Sequence, residues 1–378
     1  MIGTLEKLNY HMPTRILSRE NCVVANRAIL AELGKKALVV TGRSSARTSG
    51  AQGDIEQALR ENGQSFALYD SVMPNPTIDC VFEAAAMARR EQCDFIIAIG
   101  GGSPLDAGKA AAALAVTDIN KDALFTASIE KALPIVAIPT TAGTGSEVTQ
   151  YSVLTNNVER TKTTFTSSLI FPRYALLDAR YMMGLERTAT INTVIDALSH
   201  CVEGMLSLRA SVLTDPMAKA GIQDIMECID DIREERVNLA IREKLLWAST
   251  LGGMVIANTG TTIVHAAGYS LTYFKHIDHG RANGLLLGAY LRFVEEKEAT
   301  KEKNAAGGRI GAILEAMNLN TLDEFDARID GLLGIREKLT AEEIESYADT
   351  ASRSKNVANS FGKPTPVDIL EMWHRSCG

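Results

Sequence analysis

The sequence has no long apolar run, no dense basic block and no cluster of cysteines. Its apolar stretches all stay below 18 residues, which argues against a membrane-spanning helix. The formal net charge is -7, and lysine and arginine are spread along the chain. Because nucleic-acid binding needs clustered basic charge to neutralise phosphates, we expect neither nucleic acid nor a membrane as a partner.

The six cysteines are widely spaced and include no CxxC pair. A disulfide framework or a thiolate zinc site is therefore unexpected, and the spacing is typical of free thiols in a reducing compartment. The opening residues, MIGTLEKLNYHMPTRIL, lack the apolar core and small-residue cleavage site of a secretory signal. We therefore predict a cytoplasmic location.

Short apolar runs alternate with helical patterns through the first half of the chain. This alternation indicates a parallel sheet covered by helices on both faces, in an α/β domain of Rossmann-like type. The predicted strands are 37–41, 65–69, 94–99 and 133–138, and the predicted helices are 55–62, 77–90 and a segment after Pro104.

The pattern changes near residue 183. Strand-like runs become rare, and the stretches 188–206, 242–269 and 280–297 have helical spacing instead. We therefore predict a boundary at Met183–Gly184, with an α/β domain over 1–183 and an all-α domain over 184–378. A last helix is predicted to start at TPVD (365–368), with proline in its first position and an acid in its third.

A glycine-rich loop, GGGSPLD (100–106), follows the predicted strand 94–99. Glycine lets the backbone approach a ligand closely, and we expect Ser103 to cap a helix with Asp106 as its capping partner. Free N–H groups at that helix start, at the carboxyl end of a parallel strand, would form an anion site. The simpler alternative is a tight strand-to-helix turn that binds nothing.

A second loop of similar character, PTTAGTGSE (139–147), follows the strand 133–138. Two such loops on one sheet favour a diphosphate-containing ligand over simple turns. The GxGxxG fingerprint after the first strand is absent, and GRSS (42–45) stands there instead. A guanidinium and hydroxyls suit a ribose 2′-phosphate, so we favour NADP(H) over NAD(H), although an arginine in a loop is most often only solvated.

An acid and several histidines in the helical half form a candidate metal site. Asp196 and His200 would share one helix face about 6 Å apart, in apolar surroundings where an unpaired carboxylate is costly. On one continuous helix His265 and His279 would be about 21 Å apart, but the polar break at 275–278 allows a turn to bring them level. Each histidine alone is more often structural or exposed; together the set suits Fe²⁺ or Zn²⁺.

Taken together, these motifs resemble the iron-dependent, group III alcohol dehydrogenase family, nearest to its propanediol and butanol dehydrogenase branch. The resemblance rests on GGGSPLDAGK (100–109), PTTAGTGSEVT (139–149), DALSH (196–200) and the pair His265…His279-Gly280, in the family's order. It implies an N-terminal dinucleotide-binding domain, a C-terminal helical domain and a metal ion in the cleft between them. The implied metal ligands are Asp196, His200, His265 and His279.

The resemblance also places the nicotinamide cofactor on the α/β domain. Glycines and hydroxyls of the two loops would bind the pyrophosphate and line the nucleotide cleft, and GRSS (42–45) would meet the adenosine ribose, without the acid that the family often has there. The predicted cofactor-binding residues are Gly42, Arg43, Ser44, Ser45, Asn75, Gly101, Gly102, Ser103, Asp106, Thr140, Thr141, Thr144 and Lys162.

Three positions depart from the family pattern. Tyr269 stands where many members have a further histidine, Asp278 replaces a common proline, and Val194 replaces a glycine. The departure at Tyr269 leaves no clear proton relay, so Tyr269 and His276 are candidates and water is an equal competitor.

The function implied is that of an oxidoreductase: hydride transfer between NAD(P)(H) and a small primary alcohol or aldehyde, with the ion as Lewis acid. Fe²⁺ is the expected ion, and Zn²⁺ is the alternative because the affinity order does not protect Fe²⁺. We also expect a homo-oligomer, a dimer. The alternatives are another enzyme of the same fold, such as a glycerol dehydrogenase or maleylacetate reductase, and a non-catalytic nucleotide- and metal-binding relic.

Overall fold

Strands and helices alternate through the first half of the chain, as the sequence predicts. The structure is a computed structural model that describes residues 8–299 and 308–378. Each predicted strand is present, with ends that shift by at most three residues. The strands are β1 Arg15–Ser18, β2 Lys36–Gly42, β3 Ser65–Val72, β4 Phe95–Gly100, β5 Ile135–Pro139, β6 Tyr151–Asn156, β7 Thr161–Thr166 and β8 Tyr174–Leu177.

Six of these strands form one parallel sheet in the order β1-β8-β5-β4-β2-β3. Every residue of β4 and β5 is buried, as expected for central strands with helices on both faces. Gly100 pairs with Pro139 in the register of β4 and β5, so the two glycine-rich loops leave the sheet side by side. β6 and β7 form a separate antiparallel pair that the sequence analysis did not predict.

The helix α6 places its start beside the end of β4. It consists mainly of small buried residues, and a Cβ at Gly108 would lie 2.7 Å from the Cβ of Ala98 on β4. Glycine at this position therefore allows the helix and the strand to approach closely. The helices up to residue 114 are α1 Cys22–Ala25, α2 Ala28–Ala31, α3 Ser45–Thr48, α4 Ala51–Glu61, α5 Ile78–Arg90 and α6 Gly102–Leu114.

Helices follow one another through the second half. The stretch 242–269, predicted as continuous, breaks at Gly260, where φ is 67°. Thr365 and Asp368 form a capping box with Pro366 in the first helical position, which confirms the predicted start of the last helix. The helices are α7 Arg187–Met205, α8 Thr214–Arg233, α9 Leu239–Thr259, α10 Ile263–Phe274, α11 His279–Ala299, α12 Arg309–Met317, α13 Leu322–Leu333, α14 Ala341–Ser352, α15 Lys355–Asn359 and α16 Pro366–Cys377.

The chain divides into two units, which we call the α/β unit and the helical unit. The α/β unit comprises Met12–Leu185 and Asn238–Leu246. Of the described residues, the helical unit comprises 8–11, Glu186–Val237, 247–299 and 308–378. The division at 185/186 lies two residues from the predicted boundary. The prediction did not foresee that the start of α9 belongs to the α/β unit, because a pattern read along the chain yields only contiguous domains. Within residues 8–299 and 308–378, each helix is too short or too polar to cross a membrane.

Candidate metal centre and nucleotide-binding loops

Asp196, His200 and Glu203 lie on one buried face of α7. Spacings of four and three residues place them on successive turns of the same side. Their exposures are 3%, 4% and 0%. Two carboxylates and an imidazole thus point into the interior of the helical unit, where each needs a charged or hydrogen-bonding partner.

The turn between α10 and α11 brings His265 and His279 together, as the sequence analysis anticipates. Their ring centroids are 5.0 Å apart. Gly280 makes this arrangement possible, because a Cβ there would lie 1.7 Å from the backbone oxygen of Asn192 on α7. Asp278, a departure from the family pattern, accepts a 2.6 Å hydrogen bond from the side chain of Asn192 and so ties the turn to α7.

The four predicted metal ligands converge. Oδ1 of Asp196 lies 3.7 Å from Nε2 of His265, 3.8 Å from Nε2 of His279 and 4.0 Å from Nε2 of His200. Nε2 of His200 and Nε2 of His265 are 2.9 Å apart. Lone pairs this close need a proton or a cation between them. Three imidazole nitrogens and one carboxylate oxygen are a donor set that suits Fe²⁺ or Zn²⁺, so the residues fit the ion that the motifs imply.

Glu203 supports this cluster, although the sequence analysis did not name it. Its carboxylate contacts Nδ1 of His265 and accepts hydrogen bonds from N and Oγ1 of Thr262, at 2.8 and 2.6 Å. Burial raises the pKa of Glu203, but the contact with His265 and the hydrogen bonds from Thr262 outweigh this effect, so the pKa stays below its usual value. Its position three residues after His200 was the signal that could have identified it.

Asn283, one turn after His279, is a second neighbour that the sequence analysis missed. Its Nδ2 lies 3.0 Å from Oδ1 of Asp196, 3.2 Å from Nε2 of His265 and 3.4 Å from Nε2 of His279. Its Oδ1 is buried without a hydrogen-bond partner among the described residues. A Cβ on Gly268 would lie 2.5 Å from that oxygen, so the glycine leaves room for the amide. The amide thus presents its donor to the ligand atoms.

The two candidate proton relays lie in different surroundings. Tyr269 is half-buried and stacks on His279, with ring centroids 5.6 Å apart and ring planes 21° apart. His276 is exposed on the turn before α11, with φ 55°. The fold therefore places Tyr269 beside the cluster, whereas it leaves His276 on the surface.

In the α/β unit, the loops after β4 and β5 contact each other through their glycines. The amide of Thr140 donates to the carbonyl of Gly100, at 2.9 Å. A Cβ at Gly101 would lie 3.1 Å from Oγ1 of Thr141, and a Cβ at Gly102 would lie 2.6 Å from the Cγ2 atom of the next threonine, at 144. These glycines thus allow the two loops to pack together, and they also leave the backbone accessible to a ligand.

Ser103 and Asp106 do not have the predicted capping roles. Gly101 is the N-cap of α6, without a side-chain cap, so Ser103 lies inside the first turn and its Oγ accepts from N of Asn75 at 3.1 Å. The carboxylate of Asp106 accepts instead from Oγ of Ser146 and N of Val153, at 2.6 and 2.9 Å. The prediction was wrong because an extended glycine, Gly101, starts the helix two residues earlier than a cap at Ser103 would.

Lys109 joins the two loops and was also missed as a site residue. Its side chain is 1% exposed, and Nζ lies 3.1 Å from Oδ1 of Asp106. It donates to the carbonyl of Ser146 and to Oγ1 of Thr149, at 3.0 and 3.1 Å. Burial lowers the pKa of Lys109, and the neighbouring Asp106 opposes that shift. The ammonium therefore anchors the loop after β5 to α6.

The other predicted cofactor-binding residues also belong to the α/β unit. Arg43, Ser44 and Ser45 are exposed directly after β2, and Thr140 is buried. The carbonyl of Asn75 accepts from Oγ1 of Thr155 at 2.9 Å, which holds the turn that faces Ser103. The remaining members of the set are half-buried: Gly42, Gly101, Gly102, Thr141, Thr144 and Lys162.

Two family models match the chain. The model described as iron-containing alcohol dehydrogenase matches residues 13–179, and the C-terminal model of the Fe-containing alcohol dehydrogenase family matches residues 190–377. The 1,3-propanediol dehydrogenase of Klebsiella pneumoniae is 38% identical over 263 residues, which are 69% of this chain and 68% of that protein. The chain spans about two thirds of the length of such curated relatives, 65% in one case.

Solved structures match along nearly the whole chain. A crystal structure of an iron-containing alcohol dehydrogenase has a TM-score of 0.89 and 36% identity, and covers 98% of this chain and 99% of that one. Sulfoacetaldehyde reductase from Bifidobacterium kashiwanohense, in complex with NAD+, has a TM-score of 0.86 and 28% identity, with 98% and 99% covered. The predicted fold class, a Rossmann-like α/β domain followed by helices, is confirmed.

Proposed function

Because the chain belongs to the iron-containing alcohol dehydrogenase family, we propose that it transfers hydride between a nicotinamide dinucleotide and a small primary alcohol or aldehyde, as a metal-dependent oxidoreductase. The observation that carries this proposal is the buried cluster of Asp196 and three histidines on α7, α10 and α11. Within 4.0 Å of one buried carboxylate oxygen lie three imidazole nitrogens, a donor set that suits a bound Fe²⁺ or Zn²⁺ ion.

The residues that would hold the ion are Asp196, His200, His265 and His279. A bound Fe²⁺ or Zn²⁺ would supply Lewis-acid stabilisation of the negative charge on the substrate oxygen. Fe²⁺ is favoured by the family, and Zn²⁺ is the second candidate because the same donors bind it. Glu203 keeps His265 oriented, and Asn283 donates to Asp196.

Tyr269 is the side chain best placed to pass a proton to or from the substrate. Its ring stacks on His279, so its phenol belongs to the immediate surroundings of the cluster. His276 is a weaker candidate because its side chain is exposed on the turn. Replacing Tyr269 with Phe is expected to lower kcat by about 10²-fold if the phenol is the relay, and to leave kcat nearly unchanged if water carries the proton.

We assign the nicotinamide cofactor to the loops after β4 and β5, where the bared first turn of α6 offers N–H groups to a pyrophosphate. The NAD+ complex of the similar reductase supports a nicotinamide dinucleotide as the ligand. A preference for NADP(H) rests on Arg43 with its two neighbouring serines, all exposed directly after β2. Asp106 is reassigned here to holding the loops, since its carboxylate already accepts from Ser146 and Val153.

The similar propanediol dehydrogenase supports a small primary alcohol or its aldehyde as the substrate. The test is anaerobic turnover of butanal and 3-hydroxypropanal, with NADPH and NADH followed separately, before and after Fe²⁺ reconstitution. The proposal expects metal-dependent oxidation of the reduced nucleotide, faster with NADPH. A folded, metal-loaded protein that turns over neither aldehyde with either nucleotide would contradict the proposed substrate class. The cytoplasmic location and the dimer stay predictions.

A further inference from the structure

Glu203, on α7, contacts α10 at two places with the two oxygens of one carboxylate: the N-cap residue Thr262 and the ring of His265. Oε1 accepts from N and Oγ1 of Thr262, at 2.8 and 2.6 Å, and lies 3.4 Å from N of His265. Oε2 contacts Nδ1 of His265. The side chain is fully buried. A charge buried this deeply is costly unless every lone pair has a donor, and here both oxygens have one.

The first set of contacts supplies a cap to α10 from another helix. Thr262, the N-cap residue of α10, makes no side-chain capping bond of its own, because its hydroxyl points to Glu203. The next amide, that of Ile263, donates to Oγ of Ser360 at 3.0 Å. A carboxylate at the start of a 12-residue helix meets both free N–H groups and the positive end of the helix dipole.

The second contact determines where the proton of His265 sits. A carboxylate can only accept, so Nδ1 of His265 carries the hydrogen and Nε2 keeps its lone pair. Nε2 is the atom that faces Asp196 and His200, at 3.7 and 2.9 Å. We propose that Glu203 is a positioning residue: it holds His265 in the Nδ1–H tautomer and, through the backbone amide of Thr262, fixes the start of α10, so that Nε2 is presented to the metal site. This inference rests on the proposed metal-dependent function.

The competing explanation is that Glu203 is only a helix cap. The two explanations separate in the variant Glu203→Gln. The side-chain oxygen of the glutamine must still accept from the backbone N–H of Thr262, because that N–H can only donate. The new NH₂ group then faces Nδ1 of His265 and forces the hydrogen onto Nε2, where it blocks metal binding. A cap survives this change, whereas the tautomer does not.

The experiment measures Zn²⁺ affinity by competition with a chelating indicator in the wild type, Glu203→Gln and the control Thr262→Val. Glu203→Gln is expected to weaken Zn²⁺ binding by about 10- to 100-fold, with little change in the melting temperature of the metal-free protein. Thr262→Val loses one hydroxyl donor but keeps the carboxylate on Nδ1, so its affinity is expected to stay within about threefold of wild type. Equal Zn²⁺ affinities in Glu203→Gln and wild type would overturn the proposal.

A second measurement does not depend on how well the variant folds. The ¹⁵N chemical shifts of the His265 ring, assigned in the metal-free wild type with a His265→Gln variant, report the tautomer directly. The Nδ1–H form supports the proposal, and the Nε2–H form overturns it. A wild-type chain that binds neither Zn²⁺ nor Fe²⁺ would instead contradict the proposed function, and the ring shifts still decide the role of Glu203.

Discussion

The candidate site of the α/β unit consists mainly of backbone groups, whereas that of the helical unit consists of side chains. In the α/β unit the site consists largely of backbone: glycines and N–H groups at the ends of two adjacent strands, with Lys109 underneath as an anchor. In the helical unit the site consists of side chains from α7, α10 and α11, which lie more than sixty residues apart in the chain between Asp196 and His265. A single substitution should therefore remove a chemical group in the helical unit, whereas it should mainly disturb loop geometry in the α/β unit.

The largest effect is expected from Asp196→Ala. Removing the only carboxylate among the four ligand atoms leaves three imidazoles, so we expect loss of the bound ion and a fall in kcat of about 10³-fold or more. NADPH affinity, measured by fluorescence titration, is expected to stay near wild type. Metal content, measured by inductively coupled plasma mass spectrometry, tests the loss of the ion. Asp230→Ala, at an exposed position on α8, is the control. An Asp196→Ala protein that keeps its ion would contradict the assignment of Asp196 as a metal ligand.

The next largest effect is expected from Lys109→Met, which should weaken nucleotide binding and leave the metal in place. The change leaves Asp106 as a mostly buried carboxylate without its cation, which costs about 3–5 kcal/mol of stability. Because Lys109 also holds Ser146, we expect weaker NADPH binding while metal content is retained. Thermal melts and nucleotide titrations measure both. Lys121→Met, at an exposed ion pair with Asp79, is the control and should change neither quantity.

An intermediate effect is expected from Gly280→Ala, which tests whether backbone geometry also matters in the helical unit. The new Cβ would lie 1.7 Å from the backbone oxygen of Asn192, so α11 must move away from α7 and carry His279 with it. We expect a loss of about 3 kcal/mol of stability and weaker Zn²⁺ binding. Gly311→Ala on α12, where no atom lies within 4 Å of the new Cβ, should instead raise the melting temperature slightly. A tolerated Gly280→Ala would mean that His279 is not held by this approach.

The smallest effect is expected from Arg43→Ala, which sharpens the cofactor assignment. Loss of one exposed guanidinium near a 2′-phosphate is worth about 1 kcal/mol, so the KM for NADPH should rise about fivefold and the KM for NADH should stay unchanged. Arg60→Ala, another exposed arginine of the α/β unit, is the control. An equal rise for both nucleotides would contradict a role in recognising the 2′-phosphate.

The two candidate sites also differ in how far the sequence could predict them. The loops after β4 and β5 follow from local signals, because an apolar run followed by glycine and hydroxyl residues carries both the strand and its ligand loop. The metal ligands could not be predicted from one local signal. Asp196 and His200 share a helical spacing, but only the chemistry of four donors and the family resemblance linked them to His265 and His279. The break at 275–278 only allowed a turn that brings those two histidines level, and the structure has that turn between α10 and α11.

What the sequence did not predict depends on contacts between distant segments. Glu203 and Asn283 stand at helical spacing from metal ligands, but a glutamate or an asparagine at such a position is usually solvated. Their roles come from contacts across helices: Glu203 with His265 and Thr262, and Asn283 with Asp196. The β6–β7 pair was missed because β7 is rich in threonine and neither strand has a clear apolar alternation. The serine cap at Ser103 failed because a glycine can start a helix without any side chain.

The most direct test of this account is X-ray absorption spectroscopy at the iron edge on the Fe²⁺-reconstituted wild-type protein, with metal content measured in parallel. The account predicts one ion per chain, a first shell of nitrogen and oxygen only, and the outer-shell scattering of several imidazoles, all lost in Asp196→Ala. Sulfur in the first shell, or a folded wild-type protein that takes up no ion, would contradict it.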